Sequence, residues 1–278
     1  MNEFQKVIKY LAIAFAVFLT VTIVTGIASG IVAIIGVTTV NHEDMVDYNK
    51  SFDDVRSLVV EHGVGKLTIK STDSNQITVE AVNVTESFYA DKSLSGELKI
   101  KSKFNFWNMF NSGGSFNKNS TITIYLPASF EADKVKIDAG AGNVSIDSLK
   151  TVRLDINAGV GDVYGENIYA DNVSLDGGVG EINLEYVELN DVDIDAGVGN
   201  IDIQGKITGR SEIDAGVGNI DLEVTGSSDN YDLKVDKGVG EIYIDGDKYS
   251  KLDWNNRTAE HSMDINGGVG NIRIDFKE

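Results

Sequence analysis

Along the second half of the chain, apolar and polar residues alternate in short bursts: Val135 and Ile137, Leu154 and Ile156, Val173 and Leu175, Val192 and Ile194, Leu233 and Val235, Met263 and Ile265. Between them stand Lys136, Asp155, Ser174, Asp193, Lys234 and Asp264, so each burst predicts a half-buried β-strand. Ser211 before Ile213 is the one break in the apolar column. Each burst runs into a Gly-x-Gly triplet, after which apolar residues resume with the opposite parity, as in Ile182 and Leu184 or Ile201 and Ile203. A strand that switches faces must break, and two glycines provide the close backbone approach and positive φ that a corner needs. The predicted corner glycines are Gly140 and Gly142, Gly159 and Gly161, Gly178 and Gly180, Gly197 and Gly199, Gly216 and Gly218, Gly238 and Gly240, and Gly268 and Gly270.

The first glycines of these pairs advance in four steps of 19 residues, then by 22 and 30. A fixed period in this range predicts an all-β fold, a β-solenoid or β-helix-like repeat domain over residues 135–278, with about 19 residues per coil and two or three short strands in each. The competing arrangement is an antiparallel sandwich of hairpins, because a glycine-containing link also joins hairpin strands. A column of small residues just before each corner (Ala139, Ala158, Gly177, Ala196, Ala215) fits a place with no room for larger side chains. One isolated copy of the pattern, Leu58 to Ile69 with Gly63 and Gly65, opens an N-terminal β-section, 58–134, expected to cap the solenoid by a partly antiparallel route. Its other strands are predicted over 76–84, 96–103 and 120–126. The aromatic residues Phe104, Phe106, Trp107 and Phe110 beside them read as a hairpin core or as an exposed patch.

The N-terminal region departs from this pattern. From Tyr10 to Val40 no residue is charged, which at about 1.5 Å per helical residue is more than enough for a ~30 Å hydrocarbon core and predicts one transmembrane helix over 10–40. Lys6 and Lys9 precede it and Glu43, Asp44 and Asp47 follow. That asymmetry predicts a cytoplasmic N-terminus over 1–9 and an extracellular C-terminal domain, joined through an acidic stalk over 41–57. A cleaved signal peptide ending near Ala28-Ser29-Gly30 is the alternative. Gly26 and Gly30 form a small-xxx-small pair that could seat another helix.

Candidate chemistry is sparse. There is no cysteine, and His42, His62 and His261 have no metal or catalytic spacing and read as solvated loop residues. No catalytic group, cofactor or metal site is expected. The Gly-Gly-Val-Gly phrase at residues 267–270 lacks the aspartate that calcium-binding nonapeptide turns need, since aliphatic residues stand there. Two residues before each corner lies a column of Asp138, Asn157, Asp176, Asp195, Asp214, Asp236 and Asn266. It reads as a turn-closing acceptor of backbone N–H groups, with a cation-binding ladder as the rival. A formal net charge of −19 disfavours nucleic acid and anionic lipid and favours a basic partner. What remains for recognition are outward columns: Asp155, Asp193 and Glu212 before the corner, and Asn183, Asp202, Asp221 and Tyr243 after it.

The run Ile122-Thr123-Ile124-Tyr125-Leu126-Pro127, followed by Val135-Lys136-Ile137-Asp138-Ala139-Gly140-Ala141-Gly142-Asn143-Val144 and repeated Gly-Val-Gly corners, resembles the bacterial "putative adhesin" family of β-strand repeats over residues 55–276. The resemblance implies a domain of unknown function, frequently carried behind one membrane helix, and no catalytic residues. The expectation is a membrane-anchored surface protein, adhesive or structural, meeting an extracellular or envelope macromolecule. An envelope-stress sensor acting through a membrane partner and a self-assembling β-helical scaffold are the alternatives.

Overall fold

A computed structural model describes residues 45–102, 120–256 and 258–277. The helix predicted over 10–40, the pair Gly26 and Gly30, His42 and the aromatic residues 104–110 lie outside these. Among the described residues no helix is long and apolar enough to cross a membrane.

The alternating positions are buried as predicted, and they form one continuous core of stacked aliphatic ladders. An N-terminal section holds β1 (Met45–Phe52), β2 (Ser57–Val64), β3 (Lys66–Thr72), β4 (Ile77–Thr85), β5 (Tyr89–Lys92), β6 (Glu97–Ser102) and β7 (Thr121–Pro127). The regular coils follow: β8 (Ala132–Ala141), β9 (Val144–Ile146), β10 (Leu149–Val160), β11 (Val163–Glu166), β12 (Ile168–Val179), β13 (Ile182–Asn190), β14 (Val192–Val198), β15 (Ile201–Thr208), β16 (Arg210–Val217) and β17 (Ile220–Thr225). A C-terminal section contains β18 (Tyr231–Val239), β19 (Ile242–Ile244), β20 (Asp247–Tyr249), β21 (Leu252–Asp253), β22 (His261–Val269) and β23 (Ile272–Lys277).

In the regular coils residues pair in parallel with their counterparts 19 residues on, Val135 with Leu154, Leu154 with Val173, Val173 with Val192, and the offset drops to 18 only past a bulge between Glu185 and Val187. Parallel registry excludes the hairpin sandwich there, because each coil returns the chain to the start of the next. Two sheets result, one before the glycine corners and one after. In the first the order is β6, β2, β8, β10, β12, β14, β16, β22, β18. In the second it is β7, β3, β9, β11, β13, β15, β17, β23, β19.

Spatial order therefore departs from chain order at both ends. The coil made by β6 and β7 lies outside the earlier β2–β3 coil, and β22–β23 slides between β16–β17 and β18–β19. The steps of 22 and 30 residues mark this insertion, since Ile220 pairs with Ile272 and not with Ile242. Antiparallel strands cover both outer coils: β5 on β6, β4 and then β1 on β7, β21 on β18, and β20 on β19.

One expectation is corrected by this arrangement. The acidic stalk over 41–57 does not hold from Met45 onward: Met45–Phe52 is strand β1, paired along its length with β4, with Phe52 buried and Tyr48 stacked edge-on against Phe88 at 5.0 Å. Its outer face is charged because it is the last strand of its sheet, and that masked the alternation. The charged segment Asp275-Phe276-Lys277 lies in β23, which is interior to its sheet.

Candidate functional site

Each corner uses its two glycines differently. The second adopts a positive φ, +147° at Gly199, whereas the first does not and is needed for space. A Cβ on Gly197 would lie 2.5 Å from the Gly178 carbonyl oxygen, and the same self-stacking recurs from Gly140 to Gly216. The backbone column is thus closed to any side chain.

The acceptor of backbone N–H groups is not the Asp/Asn column before the corner. No described backbone N–H donates to Asp138, Asp176, Asp195 or Asp236. The acceptors sit one residue after the second glycine, and they act between coils: Asp162 Oδ1 accepts from Glu181 N–H (3.0 Å), Asn200 Oδ1 from Asn219 N–H (3.0 Å), Asn219 Oδ1 from Asn271 N–H (2.9 Å) and Asn271 Oδ1 from Glu241 N–H (3.0 Å). The signal was legible as Asn143, Asp162, Glu181, Asn200, Asn219, Glu241 and Asn271, all with a carbonyl-type oxygen. The corner strand's free N–H groups are satisfied by the coil beneath.

Freed of that task, the earlier column lines a shallow trough of about 720 Å³ along the first sheet, running from Asn157 through Asp176, Asp195 and Asp214 to Asn266 over a floor of alanine and glycine. Asn266 Nδ2 donates to Asp214 Oδ1 at 2.8 Å. Toward the ends of the same sheet, carboxylates have cations: Lys99 and Lys101 on Glu61, Lys136 on Asp138 (3.0 Å), Lys134 on Asp155 (2.7 Å), Lys234 on Asp264 (2.6 Å) and Lys251 on Asp236 (3.0 Å). In the middle, among the described residues, Asp176, Asp195, Asp214, Asp193 and Glu212 have none. Partial burial, then Asp214, Asp193 and Asp176, raise the Asp195 carboxyl above the usual aspartate range. Among the described residues no three His, Asp or Glu side chains are placed to hold a metal ion.

Beside the trough, one residue past its glycine floor, the corner valines point outward. Val160, Val179, Val217 and Val239 are 56, 41, 36 and 41 % exposed and form an apolar ridge, not the core. Their ladder is continuous, Val160 beside Val179 beside Val198 beside Val217 beside Val269.

The sequence-derived contact residues divide between the two sheets. Asp155, Asp193 and Glu212 lie on the first, with Asp155 held by Lys134. Asn183, Asp202, Asp221 and Tyr243 lie on the second: Asp221 pairs with Arg273 (3.4 Å) and the Tyr243 hydroxyl donates to Glu241. The Asp202 carboxyl is raised by burial and by Asp221, Glu181 and Glu185, a group separate from the trough. Two histidines are not solvated loop residues. His261 opens β22, where its Nδ1 accepts from Gly209 N–H (3.2 Å). His62 occupies the alanine column on β2, 3 % exposed, with neither ring nitrogen in a well-formed hydrogen bond. Burial pushes its imidazole down to about 4, which the Gly65 backbone only partly offsets.

Several solved structures are similar to this chain at low identity. A crystal structure of a "putative cell adhesion protein" from Clostridium sporogenes is 17% identical, covering 84% of this chain and 100% of its own, with a TM-score of 0.38. A "putative adhesin" from Bacteroides fragilis is 17% identical, covering 85% and 100%, with a TM-score of 0.42. A "putative lipid binding protein" from Parabacteroides distasonis is 14% identical, covering 85% and 98%, with a TM-score of 0.34. No curated protein matches the chain. The profile described as Toastrack DUF4097 matches residues 55–266, from just before β2 through every regular coil and into the inserted strand β22, and the chain belongs to that family.

Proposed function

We propose that this is a membrane-anchored surface protein without enzymatic activity, in which the segment 10–40 spans the membrane with its N-terminus inside and the solenoid is displayed outside as an adhesive or structural module. The observation that carries this reading is the first sheet: a regular face with a contiguous run of carboxylates that have no cation among the described residues, beside exposed valines, a composition suited to contact rather than to bond-breaking. The 31-residue uncharged run with lysines on one side and acids on the other supports the topology. Capping of both outer coils by antiparallel strands weighs against end-to-end assembly into filaments. A sensor reading is kept apart by one swap: replacing residues 10–40 with an unrelated membrane helix should leave an adhesive or structural role intact and abolish a signalling one.

The test is protease added to intact cells producing the full chain. Cleavage of the solenoid without cell lysis is the expected result, and complete protection until lysis overturns the topology.

A further inference from the structure

The trough and the ridge run side by side along the stacking axis, one acidic and one apolar, with a side-chain-free floor between. We infer that this strip is a docking surface for a basic amphipathic helix of a partner, its apolar stripe on the valine ridge and its Lys or Arg residues over Asp176, Asp195 and Asp214. The inference rests on the display reading only for where the partner is met.

Three features select that occupant. Charge comes first: among the described residues the trough's carboxylates have no cations, nor do Asp193 and Glu212 beside it, while those nearer the ends of the same sheet do, so on this sheet the uncompensated negative charge is centred on the strip. A second copy of this chain would bring its own Asp176, Asp195 and Asp214 against them, and an anionic lipid its phosphates, and both repel. Spacing comes second. Coils stack about 4.8 Å apart, so Val160 to Val217 covers about 14 Å in three steps. Three helical turns rise about 16 Å, whereas three same-side steps of an extended strand cover about 20 Å, so a helix keeps one apolar and one basic residue near each coil. Access comes third. Glycine and alanine leave the floor flat, so a helix can lie close enough to touch both flanks. The strands beneath are already paired on both sides, which leaves no backbone edge for an added strand. Placing ammonium groups here would also relieve the carboxylate repulsion that, after burial, raises Asp195.

The probe is a fluorescent 18-residue peptide of leucine and lysine patterned as an amphipathic helix, titrated against the full chain in phosphatidylcholine nanodiscs, with empty nanodiscs as reference. Saturable binding is expected, weakened at least tenfold by raising the salt from 50 to 300 mM. Asp176→Asn, Asp195→Asn and Asp214→Asn together should weaken it at least tenfold, and Val179→Ser with Val217→Ser at least fivefold. Asp138→Asn with Asp236→Asn, which remove lysine-paired acids from the same column, should change it less than twofold. Equal binding by the triple variant, or by a peptide of the same composition with leucine and lysine scrambled, overturns the proposal, as does absence of binding. Unchanged thermal unfolding of the variants separates lost contact from lost fold. The protease experiment reads topology independently, so either result can fail while the other stands.

Discussion

The five regular coils and the two ends of the solenoid are built from the same columns but obey different rules. Between the coils of β8 to β17 partners are 19 residues apart, or 18 past the bulge between Glu185 and Val187, the glycines stack on one another, the column before them is alanine or glycine, and much of the charge on the first sheet is left unpaired. At the ends, coils leave chain order, antiparallel strands cover them, a histidine or a lysine enters the small column as His62 or Lys237, and lysines meet the carboxylates. Regularity in the middle maintains a uniform outer surface. Irregularity at the ends stops the stacking and neutralises charge.

The contrast can be broken most severely at a corner. Gly199→Ala places a methyl group inside the van der Waals radius of the Gly180 carbonyl oxygen at a φ of +147°, and urea denaturation should show a loss of about 4 kcal/mol or more. Gly226→Ala, at the exit from the regular coils, has a positive φ but nothing within 4 Å, so its cost should be about 1–2 kcal/mol.

At the other end of the scale of regularity, His62→Ala restores the residue type used in the central coils. The His62 imidazole has a folded pKa of about 4, below its ordinary value of 6.5, so the unfolded chain binds its proton more readily. This group's contribution is fully present above pH 6.5 and falls as pH drops toward 4. Urea midpoints at pH 7 and near pH 4 should show that the variant escapes about 3 kcal/mol of the acid loss suffered by the parent. An equal acid loss in both proteins would assign the sensitivity to other groups.

Two smaller effects sharpen the picture within the regular coils. Ser211 interrupts the aliphatic ladder with a buried hydroxyl that has no partner, so Ser211→Ala should raise stability by about 1 kcal/mol in the same assay. Asp195→Asn should add a few tenths of a kcal/mol at neutral pH and low salt. Its carboxyl is raised in the folded state, so ionisation opposes folding and the gain disappears as pH falls into its titration range. Asp138→Asn, which loses a lysine partner, should show no such gain.

Much of the fold was legible because a β-strand reports its buried face every second residue and a glycine corner reports each change of face. The period supplied the parallel registry, and the strands predicted over 76–84, 96–103 and 120–126 match β4, β6 and β7 closely. Coil order at the ends was not legible, because the columns of Gly238 and Gly268 are equally compatible with either neighbour, and a step of 30 residues reads as a long loop as easily as an insertion. β1 was hidden because an outermost strand needs only Tyr48 and Phe52 to hold it. For the site, outward columns were readable from parity, but the two sheets they divide between were not joined by any sequence signal. Asp193 and Glu212 fall beside the trough, while Asp202 and Asp221 lie on the second sheet. The ridge was not legible because hydrophobicity alone does not say which way a valine between two glycines faces.

The insertion of β22–β23 also bears on synthesis. Residues 231–244 leave the ribosome before 261–277, yet their place is on the far side of the later segment. Coils up to β17 can be laid down one at a time as they emerge, but the β18–β19 coil has no seat until its successor arrives. Until then two parallel edges, at β16–β17 and β18–β19, stay open together. An interruption of translation within that window yields a chain whose regular coils are complete and whose most adhesive surface is an unfinished one.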